Sequence, residues 1–210
     1  MKGRLQVEKT KNVPYRYELN KRRSLSVASL AFFAVSFLGW FYETALCFVS
    51  SRRFCDRGFL SLPFCPIYGA PVCILILLIG TPKAGRLRAL FDTIKTDGEL
   101  QEGWKRAATY IAYFFLSAAF ATLFELFVGL YFESRGIRLW GYSSYPLNYR
   151  GMISLPVSLL WGLLFTLFAT FLWSPLFRFF ARIPKRTAAL VNAGLWTAVT
   201  LDFLLNFLRI

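Results

Sequence analysis

The chain has no histidine and only 11 acidic residues among 210. Without histidine there is no imidazole base, no His-led metal site and no Cys/His dyad. Charge is scarce altogether: 17% of residues are Asp, Glu, Lys or Arg, against 56% hydrophobic and a mean hydropathy of +0.48. That balance excludes an ordinary soluble domain. A nucleotide-binding P-loop is also missing, because Gly80, Thr81, Pro82, Lys83 and Ala84 do not form Gly-x-x-x-x-Gly-Lys followed by Ser or Thr. Any ATP hydrolysis therefore belongs to another chain, and the sequence implies no cofactor and no metal.

What is present is apolar and aromatic, with 23 Phe, 10 Tyr and 6 Trp. Long stretches without charge approach the roughly 20 residues that a bilayer crossing needs. They predict an all-α, polytopic membrane helix bundle of about five transmembrane helices, over residues 25–48, 64–80, 107–131, 152–173 and 188–208. Residues 1–23 form a basic cytoplasmic tail and 24–210 a single transmembrane domain. The first span carries Glu43, yet its eleven Leu, Phe and Val residues favour insertion by about 5 kcal/mol against about 3 for one mid-bilayer charge. The second span is short and begins among Pro66 and Pro71. A tilted, broken or re-entrant helix is the alternative there.

Cations set the orientation. The tail and the connectors after spans two and four hold 18 of the 25 Lys and Arg residues, which predicts a cytoplasmic amino terminus in a plasma membrane protein. The formal charge of +14 is then a topology signal and an attraction to anionic lipid. No recognition motif accompanies these cations, so nucleic acid is not an expected partner. The bilayer is.

Two connectors fall on the predicted outer face, and their layouts agree. Glu43 to Gly69 spans 26 residues, as does Glu125 to Gly151; Arg57 and Arg138 follow each Glu by 14 and 13, and Pro63 and Pro146 by 20 and 21. This spacing suggests a parallel repeat of two helical hairpins, with the fifth span as an addition. Carboxylates inside apolar spans must be paired, protonated or facing water. Glu43, Arg57, Tyr68, Glu125 and Arg138 are thus the candidate polar site. Two readings stand side by side: a site for a cation, proton or amine, or structural pairs of Glu43 with Arg57 and Glu125 with Arg138. Asp202 is a third acid, placed to meet the headgroups or Asn206 one turn on.

Cys47 and Cys73 read as small packing residues. Cys55 and Cys65 share the first connector and are either thiols or, in an oxidising compartment, a disulfide. A nucleophilic Cys65 activated by Arg57 is the weaker chemical alternative. Between spans two and three, Leu87, Leu90, Phe91 and Ile94 make a short apolar stripe, suited to an ATPase subunit or to the inner headgroups.

Gly39, Trp40 and Glu43, then Arg57, Gly58, Pro63, Phe64, Cys65, Pro66, Tyr68 and Gly69, form a signature that resembles the ABC-transporter type IV permease-like proteins, small bacterial integral membrane proteins. Glu125, Gly129, Glu133, Arg138, Trp140, Tyr142, Ser143, Pro146, Asn148, Gly151, Ser158, Trp161 and Gly162 resemble that family's second block, so the likeness covers about residues 37–162. Gly141 and Leu62 depart from it, standing where an acid and a glycine are expected. The resemblance implies a transporter permease subunit with a separate ATPase or other membrane partner. Beside it stand a membrane-embedded acid/base enzyme acting on a lipid-like substrate through Glu43, Glu125 and Tyr68, and a non-catalytic scaffold subunit held together through small residues. A homo-oligomer is compatible with each.

Overall fold

The structure is a computed structural model that describes residues 21–54, 58–94 and 99–209. Its elements are α1 (Lys21–Ser51), α2 (Pro66–Ile79), α3 (Arg86–Asp92), α4 (Glu99–Glu133), β1 (Asn148–Tyr149), β2 (Ile153–Ser154), α5 (Leu155–Leu167), a π-helical turn (Phe168–Leu172), α6 (Trp173–Ala181) and α7 (Lys185–Leu208). Four of the resulting helices are long and apolar enough to cross a membrane, and α2 is a shorter apolar fifth. The predicted membrane helix bundle of about five spans is what the chain forms.

Span boundaries differ where prolines intervene. At 14 residues α2 rises only about 21 Å, less than the roughly 30 Å hydrocarbon core. Pro66 opens its first turn, where a missing N–H costs nothing, and Pro71 lies inside it. The fourth span runs on to Ala181 instead of ending at Trp173. Pro175 cannot donate to the carbonyl one turn back, and the wider π-helical turn just before it absorbs that misfit so the helix continues.

Each of the two hairpins is closed by a glycine contact. A Cβ on Gly39 of α1 would stand 2.5 Å from the Tyr68 ring of α2. One on Gly162 of α5 would stand 2.8 Å from the Ala118 Cβ and 2.9 Å from the Phe114 carbonyl of α4. The core between the hairpins is built from Val35, Val72, Ile76, Tyr113, Ala121, Phe165 and Trp173, all buried. Leu123, Phe127, Leu163, Leu190, Leu205 and many other large apolar side chains point outward instead. Such a surface suits lipid and not water.

Helix α7 lies parallel to α1. Asn192 Nδ2 donates to the Ser26 carbonyl at 3.0 Å and Trp196 Nε1 to Ser29 Oγ at 2.8 Å. At the same end, Arg23 donates to the carbonyls of Ala181 and Ile183, placing a cation at the carboxyl end of α6. At the far end, Asp202 Oδ2 accepts from the Leu62 N–H at 3.0 Å and Asp202 Oδ1 from Asn206 Nδ2 at 3.0 Å. Asp202 therefore ties the first hairpin loop to α7 in addition to meeting Asn206.

The cysteine pairing differs from expectation. Cys47 is disulfide-bonded and not merely a packing residue. Cys65 and Cys73 are buried thiols, which excludes the Cys55–Cys65 bridge. Cys55 itself lies outside the described residues. Helix α3 is one short turn pair with Leu90 exposed, and the 80–85 turn before it closes through a Gly80–Gly85 bridge.

Candidate functional site

Both loops at the hairpin end are built to deliver a tyrosine. In the first, the Cys65 N–H reaches back to the Ser36 carbonyl of α1 at 2.9 Å and Phe64 packs its ring 5.6 Å from that of Phe33. Tyr68 follows within the first turn of α2, and its hydroxyl donates to Glu43 Oε1. The Pro63 to Gly69 motif thus fixes where α2 begins.

In the second loop, Trp140 Nε1 donates to the Met152 carbonyl at 2.8 Å, and the Tyr142 N–H to the Gly151 carbonyl at 2.7 Å. Asn148 donates to the Tyr145 carbonyl at 2.8 Å and accepts from the Gly151 N–H at 3.2 Å, while Ser154 Oγ donates to the Pro146 carbonyl at 3.2 Å. Gly151 adopts φ +68°, a left-handed conformation that glycine accepts without strain. The motif residues of this loop hold its shape, and its product is the Tyr142 hydroxyl aimed at Glu125 Oε1, 2.8 Å away.

Trp161 of α5 completes the group. Its Nε1 donates to the same Glu125 Oε1 at 3.2 Å, and its ring meets the Tyr68 ring edge-on with centroids 5.3 Å apart. Glu43, Tyr68, Glu125, Tyr142 and Trp161 therefore come from four helices and one loop and form one cluster. Burial first, then the bonded Glu125 carboxylate, then Glu43, push the Tyr142 phenol well above the ordinary tyrosine range. Tyr142 is thus a fixed proton donor at physiological pH.

Glu125 is only 7% exposed, and while Oε1 accepts two hydrogen bonds, Oε2 accepts none. A small cavity of about 30 Å³ adjoins it, walled by Tyr68, Pro71, Ala121, Trp161 and Phe165. That is room for a water molecule or an ion and for little more. Among the described residues no three His, Cys, Asp or Glu side chains gather to hold a metal.

The predicted site residues are divided by this geometry. Glu43, Tyr68 and Glu125 share the cluster. Arg138 does not reach Glu125: it meets Glu133 at 3.4 Å, as does Arg150 at 2.6 Å, on the exposed rim. Arg57 lies outside the described residues. Tyr142 and Trp161 belong to the site although sequence reasoning took them as motif residues only. Tyr142 looks like one more interfacial aromatic, and Trp161 like one more apolar helix residue, until the folding of loop and helix brings both to one oxygen.

A bundle of membrane-spanning helices with a polar cluster at the end where two hairpins turn defines a polytopic membrane protein of transporter-like build. The chain belongs to the family described as "Putative ABC-transporter type IV", whose model matches residues 30–207. That match reaches through α7, well beyond the residues 37–162 that carry the motif resemblance. No curated protein and no solved structure matches the chain.

Proposed function

We propose that this protein is the permease subunit of a transport system in the plasma membrane, with its hairpin end outside and its amino terminus in the cytoplasm. Its polar cluster receives a small solute or ion, and ATP hydrolysis resides on a separate chain. Family membership and the long apolar helices support transport in general. The observation that carries the site is Glu125 Oε2, a buried carboxylate oxygen that accepts no hydrogen bond, on a residue that lines a cavity of about 30 Å³. A structural carboxylate in hydrocarbon has every reason to be satisfied, because leaving one lone pair set bare costs about 1–3 kcal/mol. Arg138, Glu133 and Arg150 then form the charged rim outside it.

Substitution and isolation test this together. Glu125→Gln and Glu43→Gln should insert and accumulate as the wild type does and lose the transport-linked phenotype. Mild solubilisation of the native protein should bring an ATPase with it. Loss of folding in both variants, with the phenotype explained by absent protein, would return the cluster to a structural role. Recovery of a fully active chain with no ATPase would remove the subunit claim.

A further inference from the structure

The cavity beside Glu125 has walls that the carboxylate alone does not explain. Helix α4 brings Phe124 and Glu125 to it, α5 brings Trp161 and Phe165, and α2 brings Ile67, Tyr68 and Pro71. Trp161 and Phe165 are four residues apart, as are Ile67 and Pro71, so each pair shares one helix face. Three kinds of group therefore line one space: a carboxylate, aromatic rings and a proline-interrupted turn of backbone.

Charge is the first of these to be uncompensated. Glu125 Oε2 accepts no hydrogen bond, and Glu43 belongs to the same cluster through the Tyr68 hydroxyl. Among the described residues the donors to these two acids are Tyr68, Tyr142 and Trp161, and no Lys or Arg comes within ion-pair distance of either. A buried charge without a counter-charge is costly, so a cation is the ligand this cluster lacks.

The backbone of α2 adds an acceptor. Pro71 lies inside the helix and has no N–H, so the Ile67 carbonyl lacks the donor that a regular helix supplies four residues on. Both residues that flank the missing bond line the cavity. The remaining wall is aromatic: the Tyr68 and Trp161 rings meet edge-on with centroids 5.3 Å apart, beside Phe124 and Phe165. Ring faces attract cations but offer no lone pairs to a metal. A hard metal ion takes about six oxygens, and apart from the Glu125 carboxylate and the Tyr68 hydroxyl no lining side chain carries one. Ammonium asks for less. Its N–H groups are met by a few acceptors and by ring faces, and it is the size of the water molecule that a cavity of about 30 Å³ admits.

We propose that this cavity is a binding site for the ammonium ion, held by the Glu125 carboxylate, the Ile67 carbonyl and the surrounding aromatic rings. The proposal rests on the transport reading of Glu125 and names its solute. Glu43 contributes at one remove, as a second negative charge behind the Tyr68 hydroxyl. Cation–π attraction and a desolvated carboxylate then act on the same small ion, and the tight walls exclude amines with bulky substituents.

Thermal unfolding of the purified full-length protein in detergent tests this, because a ligand of the folded state raises the midpoint as its concentration rises. At fixed pH and ionic strength, ammonium chloride should raise the midpoint to saturation. Sodium and potassium chlorides should not, nor should tetramethylammonium chloride, which keeps the charge and exceeds the cavity. Pro71→Ala is the decisive variant: it removes a helix breaker and gives the Ile67 carbonyl its N–H, so it should fold, yet half-saturation should need about tenfold more ammonium. Phe165→Leu keeps an apolar side chain and loses a ring, with a similar weakening of about tenfold. Glu125→Gln should abolish the shift, and the other two variants carry the test should it not fold. The proposal is overturned if ammonium acts no differently from sodium or tetramethylammonium, or if Pro71→Ala or Phe165→Leu binds it as the wild type does. Should Glu125→Gln still lose the transport-linked phenotype at normal abundance in those cases, the Glu125 site survives and only its ligand is wrong. Saturable ammonium binding alongside an intact phenotype in Glu125→Gln would keep the ligand and remove the transport reading.

Discussion

The Tyr142 hydroxyl donates to Glu125 Oε1 across 2.8 Å, so a loop residue outside the bilayer and a carboxylate inside it are held as a pair. Removing the hydroxyl by Tyr142→Phe leaves Glu125 with the Trp161 N–H alone. For a buried acceptor that loses one of two donors, the expected cost is about 1–3 kcal/mol. Thermal unfolding in detergent should show a lowered midpoint for Tyr142→Phe and a smaller change for Tyr145→Phe, whose ring only abuts Tyr142 at 5.7 Å. Equal midpoints for wild type and Tyr142→Phe would mean that the pair contributes nothing.

The same pair sets a pH dependence. Burial and the Glu125 and Glu43 charges raise the Tyr142 phenol above its value in the unfolded chain, which is about 10. The unfolded state then gives up its proton first, so stability from this group is fully present below about pH 10 and falls as pH rises beyond it. The unfolding midpoint should decline in alkali, and Tyr142→Phe should flatten that decline. A slope unchanged by the substitution would assign it to other tyrosines.

Close helix approach makes a third prediction. In Gly162→Ala the new methyl meets the Phe114 carbonyl at 2.9 Å, and backbone cannot swing aside as a side-chain tip can. Overpacking of this kind costs about 1–3 kcal/mol. Gly39→Ala meets the Tyr68 ring instead, at 2.5 Å, and should act by displacing that ring from Glu43. The first variant should lose stability, and the second should lose the transport-linked phenotype more than it loses stability. The reverse order would show that Tyr68 needs no fixed position.

Hydropathy and the prolines make most of the architecture legible in the sequence. Spans one, three, four and five are long charge-poor runs, and a run of that kind has few other ways to satisfy its backbone in lipid. The weak second span was also visible, in Pro66 and Pro71. Continuation past Trp173 was not, because a π-helical turn depends on how Pro175 is relieved locally and leaves no periodic trace. In the site, Glu43 and Glu125 announced themselves as acids in apolar surroundings. Of their partners Tyr68 is legible and Tyr142 and Trp161 are not: spacing matches Arg57 with Arg138, whereas among the described residues the donors that reach the carboxylates are Tyr68, Tyr142 and Trp161, at separations of 25, 17 and 36 residues. A repeat in sequence thus does not extend to the groups that complete the site. Arg138 is drawn off by Glu133, which one alignment of two hairpins gave no reason to prefer.

Arg138 accordingly tests the rim. Its side chain is 56% exposed and shares Glu133 with Arg150, which makes the shorter contact at 2.6 Å. Exposed pairs contribute about 0–1 kcal/mol. Arg138→Ala should leave the unfolding midpoint within about that range and reduce the transport-linked phenotype only partly, whereas Glu125→Gln should abolish it. A complete loss in Arg138→Ala at normal abundance would move this guanidinium from the rim into the site.

Asp202 is predicted to hold the first loop closed. Its carboxylate accepts from the Leu62 N–H and from Asn206 Nδ2, and Asn206 in turn donates to Ser61 Oγ at 3.1 Å. Asp202→Ala strips the Leu62 N–H of its acceptor and leaves Asn206 Nδ2 with the residue 202 carbonyl and Ser61 Oγ, at an expected cost of about 1–3 kcal/mol concentrated in the loop. Cys65, three residues past Leu62 and 5% exposed, reports on that opening. Its alkylation by a thiol reagent should speed up about tenfold or more, since each 1.4 kcal/mol of lost closure is a factor of about ten. Cys73, inside α2 and equally buried, should react at its wild-type rate, which separates local opening from global unfolding. If Cys65 stays as slow as in the wild type, the α7 carboxylate does not latch the loop, and the Phe33 to Phe64 ring contact and the Cys65 N–H bond to the Ser36 carbonyl suffice to hold it.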